Sequence, residues 1–176
     1  MDALDLLEQQ HRDLGDLFAA VTAAETAGRR TALVAQLVRA VEAHSRVEET
    51  VFYAAFSARI GGDEARLWEA FENHALLRFA ALNLLCTRAT DVRFAARFKL
   101  LHQIWKRHVH VEEDWMFPKA KRALSDEALD RIGTEIERAH ATRVSVAPAS
   151  ADRALARRRL HERESTGRRR AAAASM

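Results

Sequence analysis

The chain has 176 residues, 48% of them apolar, with abundant Ala and only six Gly and two Pro; this suits one helical domain with a sizeable core. The single Cys86 excludes an internal disulfide framework and fits a reducing compartment. There is no basic-then-apolar leader and no apolar run near the roughly 20 residues of a bilayer span, so a cytoplasmic protein with no membrane partner is expected. The net charge of +3 is unevenly distributed: nine Arg and three acids lie from Arg143 onward, leaving 19 bases and 22 acids before it. The basic pI of about 9.5 therefore belongs to the tail.

Apolar residues at alternating steps of three and four predict a first helix from about Asp2 to Ala27, ending before Gly28, with the stripe Leu4, Leu7, His11, Leu14, Phe18, Val21. A second runs from about Arg30 to Ile60 and stops at Gly61-Gly62, with the stripe Val34, Leu37, Val41, His44, Glu48, Val51, Ala55. A third starts near Asp63 and reaches about Ala89, presenting Leu67, Ala70, His74, Leu77, Ala81 and Leu84. A fourth follows Thr90-Asp91 to about Leu124, disturbed around Pro118, with the stripe Phe94, Phe98, Leu101, Trp105, His108, Glu112, Trp115. Ser125, followed by Asp126 and Glu127, caps a short fifth helix to about Ala141.

These elements read as an all-α fold: an antiparallel up-down-up-down four-helix bundle over residues 1–124, an accessory helix over 125–142 and a flexible, basic Arg/Ala-rich tail over 143–176. The tail's Arg157-Arg158-Arg159 and Arg168-Arg169-Arg170 come without an aromatic residue for stacking, so no nucleic-acid partner is expected.

Four helices each bury a His on the core stripe, and two of them bury a Glu four residues later, in His44-Ser45-Arg46-Val47-Glu48-Glu49 and His108-Val109-His110-Val111-Glu112-Glu113. A buried carboxylate without a partner is very costly, so Glu48 and Glu112 call for a cation or a proton. Counted from the helix ends, His11, His44, Glu48, His74, His108 and Glu112 agree in depth to about two residues, or roughly 3 Å at the helical rise. A single core His is usually a hydrogen-bonded packing residue; six convergent groups at one level indicate a metal site. Imidazole and carboxylate suit iron, zinc or manganese, and six ligands fit two ions bridged by carboxylates better than one zinc. His102, His110, His140 and His161 fall off the stripes and read as ordinary residues.

Glu49 and Glu113 are turned about 100° from their neighbours and are expected beside the ligands or in solvent. Tyr53, the only tyrosine, sits about 180° from His44 on a straight helix, which favours packing or surface; a bend there would make it a hydrogen-bonding partner of the site. Trp105 and Trp115 are expected to flank the site and keep it dry.

The order His11, His44-x-x-x-Glu48, His74, His108-x-x-x-Glu112, with Glu-Glu leading to Phe117-Pro118, resembles the hemerythrin-like (HHE cation-binding) family over about residues 3 to 122. The resemblance implies two iron ions, oxo- or hydroxo-bridged, with His11 and His44 on one, His74 and His108 on the other, and Glu48 and Glu112 bridging. Oxygen-carrying members have His-x-x-x-His on the third helix, where Arg78 stands here. Arg78 is expected as a flank residue reaching solvent, the functional alternative being a hydrogen bond to a bound anion or occupation of the missing ligand's space. The four-histidine pattern implies open metal positions for hydrogen peroxide, dioxygen or nitric oxide. The expected function is a catalase-like peroxide-decomposing oxidoreductase in oxidative or nitrosative stress defence. The alternatives are an oxygen- or iron-responsive sensing module, and an iron donor for repair of damaged iron centres.

Overall fold

The computed structural model describes residues 1–59 and 63–144, and among them every regular element is helical. α1 (Ala3–Ala23) begins where the Asp2 carboxylate accepts from the amides of Leu4, 2.8 Å, and Asp5, 3.0 Å. It ends four residues earlier than the periodicity predicts, because Ala24 turns to extended backbone. Thr26 then caps α2 (Ala27–Val47) by accepting from the amide of Arg29 at 3.2 Å. Gly28, expected as a stop, thus lies in the first turn of α2, where a capping hydroxyl outweighs the glycine's low propensity.

α2 continues through one π turn, Glu48–Phe52, into α3 (Tyr53–Ser57). The expected stop at Gly61-Gly62 lies outside the described residues. α4 (Glu64–Leu85) is followed by α5 (Phe94–Val111), which passes through a second π turn, Glu112–Met116, into α6 (Phe117–Ala123). Asp63 stands at the N-cap of α4, but its side chain pairs with Lys119 rather than capping. Ser125 Oγ accepts from the amide of Ala128 at 3.3 Å and starts α7 (Asp126–Val144). The tail from residue 145 lies outside the described residues.

The rods α1, α2–α3, α4 and α5–α6 form the antiparallel bundle, and α7 packs across α1, α2 and the first π turn. Its Gly133 is where the N-terminal backbone crosses: a Cβ there would meet the Met1 carbonyl at 2.6 Å. The core falls into two apolar clusters. One, with Leu14, Phe18, Leu37, Leu77, Leu84 and Trp105, fills the end bounded by the α1–α2 and α4–α5 connections. The other, with Leu7, Phe52, Tyr53, Phe56, Phe117 and Ile136, fills the end under α7. His11, His44, Glu48, His74, His108 and Glu112 are all buried, at the level between these clusters.

Candidate metal centre

Each His-x-x-x-Glu pair spans the last turn of an α-helix and ends at the first residue of a π turn. In a π turn residues i and i+5 share a face, and the amides of Tyr53 and Phe117 accordingly bond to the carbonyls of Glu48 and Glu112. Pro118 helps to explain the second widening, since its ring would crowd the carbonyl four residues back in a regular helix. No proline accompanies the first. The consequence for the interior is the same in both: after Glu48 the core takes Phe52, Tyr53 and Phe56 in place of Val51 and Ala55. After Glu112 it takes Met116 and Phe117 in place of Trp115. Trp115 instead lies half-buried under the cations of Arg66 and Lys119. Trp105 keeps its expected place, with its ring 5.5 Å from His11, 5.5 Å from His44 and 5.1 Å from His108.

The imidazole Nε2 atoms converge. His44 Nε2 is 3.2 Å from His108 Nε2 and 3.1 Å from Glu48 Oε2. His74 Nε2 is 3.2 Å from the same Glu48 oxygen, and His11 Nε2 is 3.2 Å from Glu112 Oε2. One ligand atom from each of His11, His44, Glu48, His108 and Glu112 lies within 4.8 Å of all the others, while His74 adjoins that group across Glu48. The closest ring pairs among the four histidines are His74–His108, 4.8 Å, and His11–His44, 5.0 Å.

Outward, three of the four histidines present Nδ1 to an acceptor: Glu113 at 2.8 Å from His11, Gln10 at 3.0 Å from His44 and Glu49 at 3.1 Å from His74. An acceptor on Nδ1 keeps the proton there and leaves the Nε2 lone pair facing inward, as in metal-bound histidines. Glu49 and Glu113 thus touch the site's histidines from behind rather than lying free in solvent. Gln10 is not distinguishable in the sequence as one of these acceptors; its only signal is its place beside His11.

Tyr53 departs from the straight-helix expectation. The π turn rotates it fully into the core, where its hydroxyl donates a short hydrogen bond to Glu112 Oε1 and lies 3.4 Å from His74 Nε2. Its ring stacks on His74 at 5.3 Å, as Phe117 stacks on His11 at 5.8 Å. Arg78 neither reaches into the site nor stands free: its guanidinium donates to Glu49 Oε1 at 2.5 Å, so it supports the acceptor of His74. His102 stacks on Phe18 and the exposed His110 pairs with Asp114, both outside the cluster.

Electrostatics follow from this crowding. Burial alone lowers His11 and His74, but the close carboxylates of Glu112 and Glu48, with Glu49 on His74, outweigh it and raise them to about 10 and about 9. Burial and neighbouring imidazoles push His44 well below its usual value, and burial takes His108 to about 3. Glu48 rises to about 7 through burial and the charge of Glu112. Burial also opposes ionisation of Glu112, but His108 and His11 hold it well below the usual carboxylate range. Burial and the Glu112 charge keep the Tyr53 hydroxyl protonated.

The sequence profile of the family described as "Hemerythrin HHE cation binding domain" matches residues 2–120. The chain belongs to the hemerythrin HHE cation-binding family. Its fold is shared by the crystal structure of a hemerythrin HHE cation-binding-domain protein from Mycobacterium kansasii, with a TM-score of 0.75 at 21% identity. That match covers 88% of this chain and 99% of the other. None of the curated proteins matches it. Among the described residues no helix is long and apolar enough to cross a membrane.

The donor set fits the cation that defines the HHE family. His11 Nε2, both Glu48 oxygens and Glu112 Oε2 are buried without a hydrogen-bond partner among the described residues. Four orphaned polar atoms facing one another would be a heavy penalty in a protein interior. A bound cation removes it.

Proposed function

We propose that this HHE protein holds two iron ions between Glu48 and Glu112 and decomposes hydrogen peroxide in a catalase-like reaction. The observation that carries the reading is the set of buried, unpartnered donors on His11, Glu48 and Glu112, completed by the inward Nε2 atoms of His44, His74 and His108. His11 with His44 would hold one ion and His74 with His108 the other, and the Nε2 atoms of all four lie within 3.7 Å of Glu48. Iron bound there supplies the redox change by which two molecules of peroxide become two of water and one of dioxygen. Glu48 and Glu112 each reach histidines from more than one helix, as bridging carboxylates must. Tyr53 holds a proton at its hydroxyl against Glu112 Oε1 and 3.4 Å from His74 Nε2, at the edge of the centre, where it can serve a bound ligand. Trp105 and Phe117 close the apolar sides and exclude bulk water. The same site suits nitric oxide or dioxygen as small ligands.

The iron-loaded protein is expected to evolve oxygen from peroxide, and His108→Ala, shown to have lost iron, to evolve none. Equal oxygen evolution by the two would sink the proposal.

A sensing role is the second reading, favoured by the packing of α7 on the π turn that carries Glu48 and Glu49. It predicts that iron loading changes hydrogen-exchange protection in α7 while peroxide turnover stays negligible.

A further inference from the structure

α4 is apolar on both of its faces. Leu67, Leu77 and Leu84 are buried in the core, while Trp68, Leu76 and Phe79 on the outer surface are 66%, 58% and 67% exposed. With Ala75, Glu69 and Glu72 these three occupy an arc of about 120°, at roughly 100° per residue. Leu100 of α5, 54% exposed, continues the strip. Asn83 and Arg97 meet across the two rods, Asn73 and Arg107 flank one crevice further along, and Leu76 and Leu100 lie between these levels. Four of the six large apolar side chains exposed among the described residues are therefore gathered on the α4–α5 face. A helix that is apolar all round belongs in an interior, and a contiguous apolar patch on a surface marks a contact with something else.

We propose that this strip is the interface of a two-fold dimer, in which the α4 rods of two copies of this chain pack antiparallel. Its size fits. The 22 residues of α4 rise about 33 Å, and with the edge of α5 8–10 Å away the strip is roughly 20 Å wide. That is on the order of 650 Å², close to the roughly 800 Å² per partner of a stable interface. Its charges fit as well. Glu69 and Glu72 are the only charged residues in the arc, and both lie in its N-terminal half. An antiparallel pair sets that half against the acid-free half of the other copy, whereas a parallel pair would set each Glu against itself. Ala75 lies near the middle of the strip, where a small side chain lets the rods approach. A membrane surface fits less well, because acids rather than Lys or Arg accompany the apolar residues.

The interface stands on α4 and α5 alone and does not rest on the metal reading. Sedimentation equilibrium of the full chain is expected to give twice its 19.8 kDa at micromolar concentration. Phe79→Glu and Leu76→Glu, both on the outer surface, are each expected to raise the dimer dissociation constant by more than about 30-fold, the scale of a lost interface anchor. Helix content and thermal midpoint should hold, so a variant that misfolds is recognised and the other decides. Cross-linking then reads the geometry. Ala75→Cys in a Cys86→Ser background should be joined to its copy by a short bismaleimide. Wild type should not, because antiparallel rods crossing near Ala75 hold the two exposed Cys86 residues about 30 Å apart. A wild type that stays monomeric at about 100 μM would overturn the proposal, including one that instead binds anionic vesicles through Trp68. So would a dimer that survives both Glu variants, or one joined through Cys86 and not through position 75.

Discussion

The two Glu-Glu segments build the same device and differ in how they finish it. Each places its first Glu in the centre and its second behind a histidine of another helix, Glu49 on His74 and Glu113 on His11. Each then widens into a π turn that stacks the residue five positions on against that same histidine. On the first segment that residue is Tyr53, whose hydroxyl reaches Glu112, and Arg78 locks Glu49 from outside. On the second it is Phe117, and Glu113 faces a cleft of about 250 Å³ with Arg12, His102 and Lys106 on its walls. A near-symmetric frame holds the donors; asymmetry in one hydroxyl and one guanidinium makes one side a proton-holding wall and the other an apolar one.

The largest effect should come from the element that both segments share. Glu48→Ala and Glu112→Ala are each expected to abolish binding of the iron pair, measured as metal content after reconstitution. Retention of two irons by either variant would rule out bridging.

Making the halves alike is the next test. Tyr53→Phe keeps the ring on His74 and removes the hydroxyl, so iron content should hold while peroxide turnover falls by about 100-fold, the scale of a lost proton-transfer group. Unchanged turnover would leave Tyr53 as packing alone.

The outer carboxylates should separate in rank. Glu49→Ala is expected to weaken iron binding by about 10- to 100-fold. Glu113→Ala should do so less, because its side chain is 36% exposed against 19% for Glu49 and no guanidinium braces it among the described residues. Chelator competition reads both, and an inverted order would contradict the locked-side picture.

The pH dependence tests the histidines themselves. His11 and His74 titrate at about 10 and about 9 in the metal-free protein, so both carry protons at neutral pH that a metal must displace. Metal affinity should therefore rise with pH, by up to about tenfold per unit for each proton released. Stability of the metal-free fold should move the opposite way. Both values lie above the unfolded 6.5, so the contribution is fully present below that pH and lost as pH rises through about 9 to 10. Calorimetry with and without metal shows whether the trends diverge; parallel trends would mean that these two histidines do not compete with metal.

Much of this buried cluster is legible in the sequence. Glu48 and Glu112 interrupt apolar stripes four residues after a histidine, and burial at such positions needs compensation whatever the fold's details. Matching depth then brought His11 and His74 to the same level. Helix ends were less legible: Gly28 looked like a stop, but the hydroxyl of Thr26 starts α2 ahead of it.

Periodicity carries the identity of the inward donors because burial is a one-dimensional pattern along a regular helix. It fails where the helix stops being regular. A π turn is invisible to a 3.6-residue count, so Tyr53 read as remote from His44 and Trp115 as core. The groups behind the histidines were equally out of reach, since Gln10 meets His44 and Arg78 meets Glu49 only through packing between rods. Sequence alone therefore determined that donors would be buried together in the bundle. Tertiary structure decided which proton sits on which atom, because hydrogen-bond direction depends on neighbours that no spacing along one chain records.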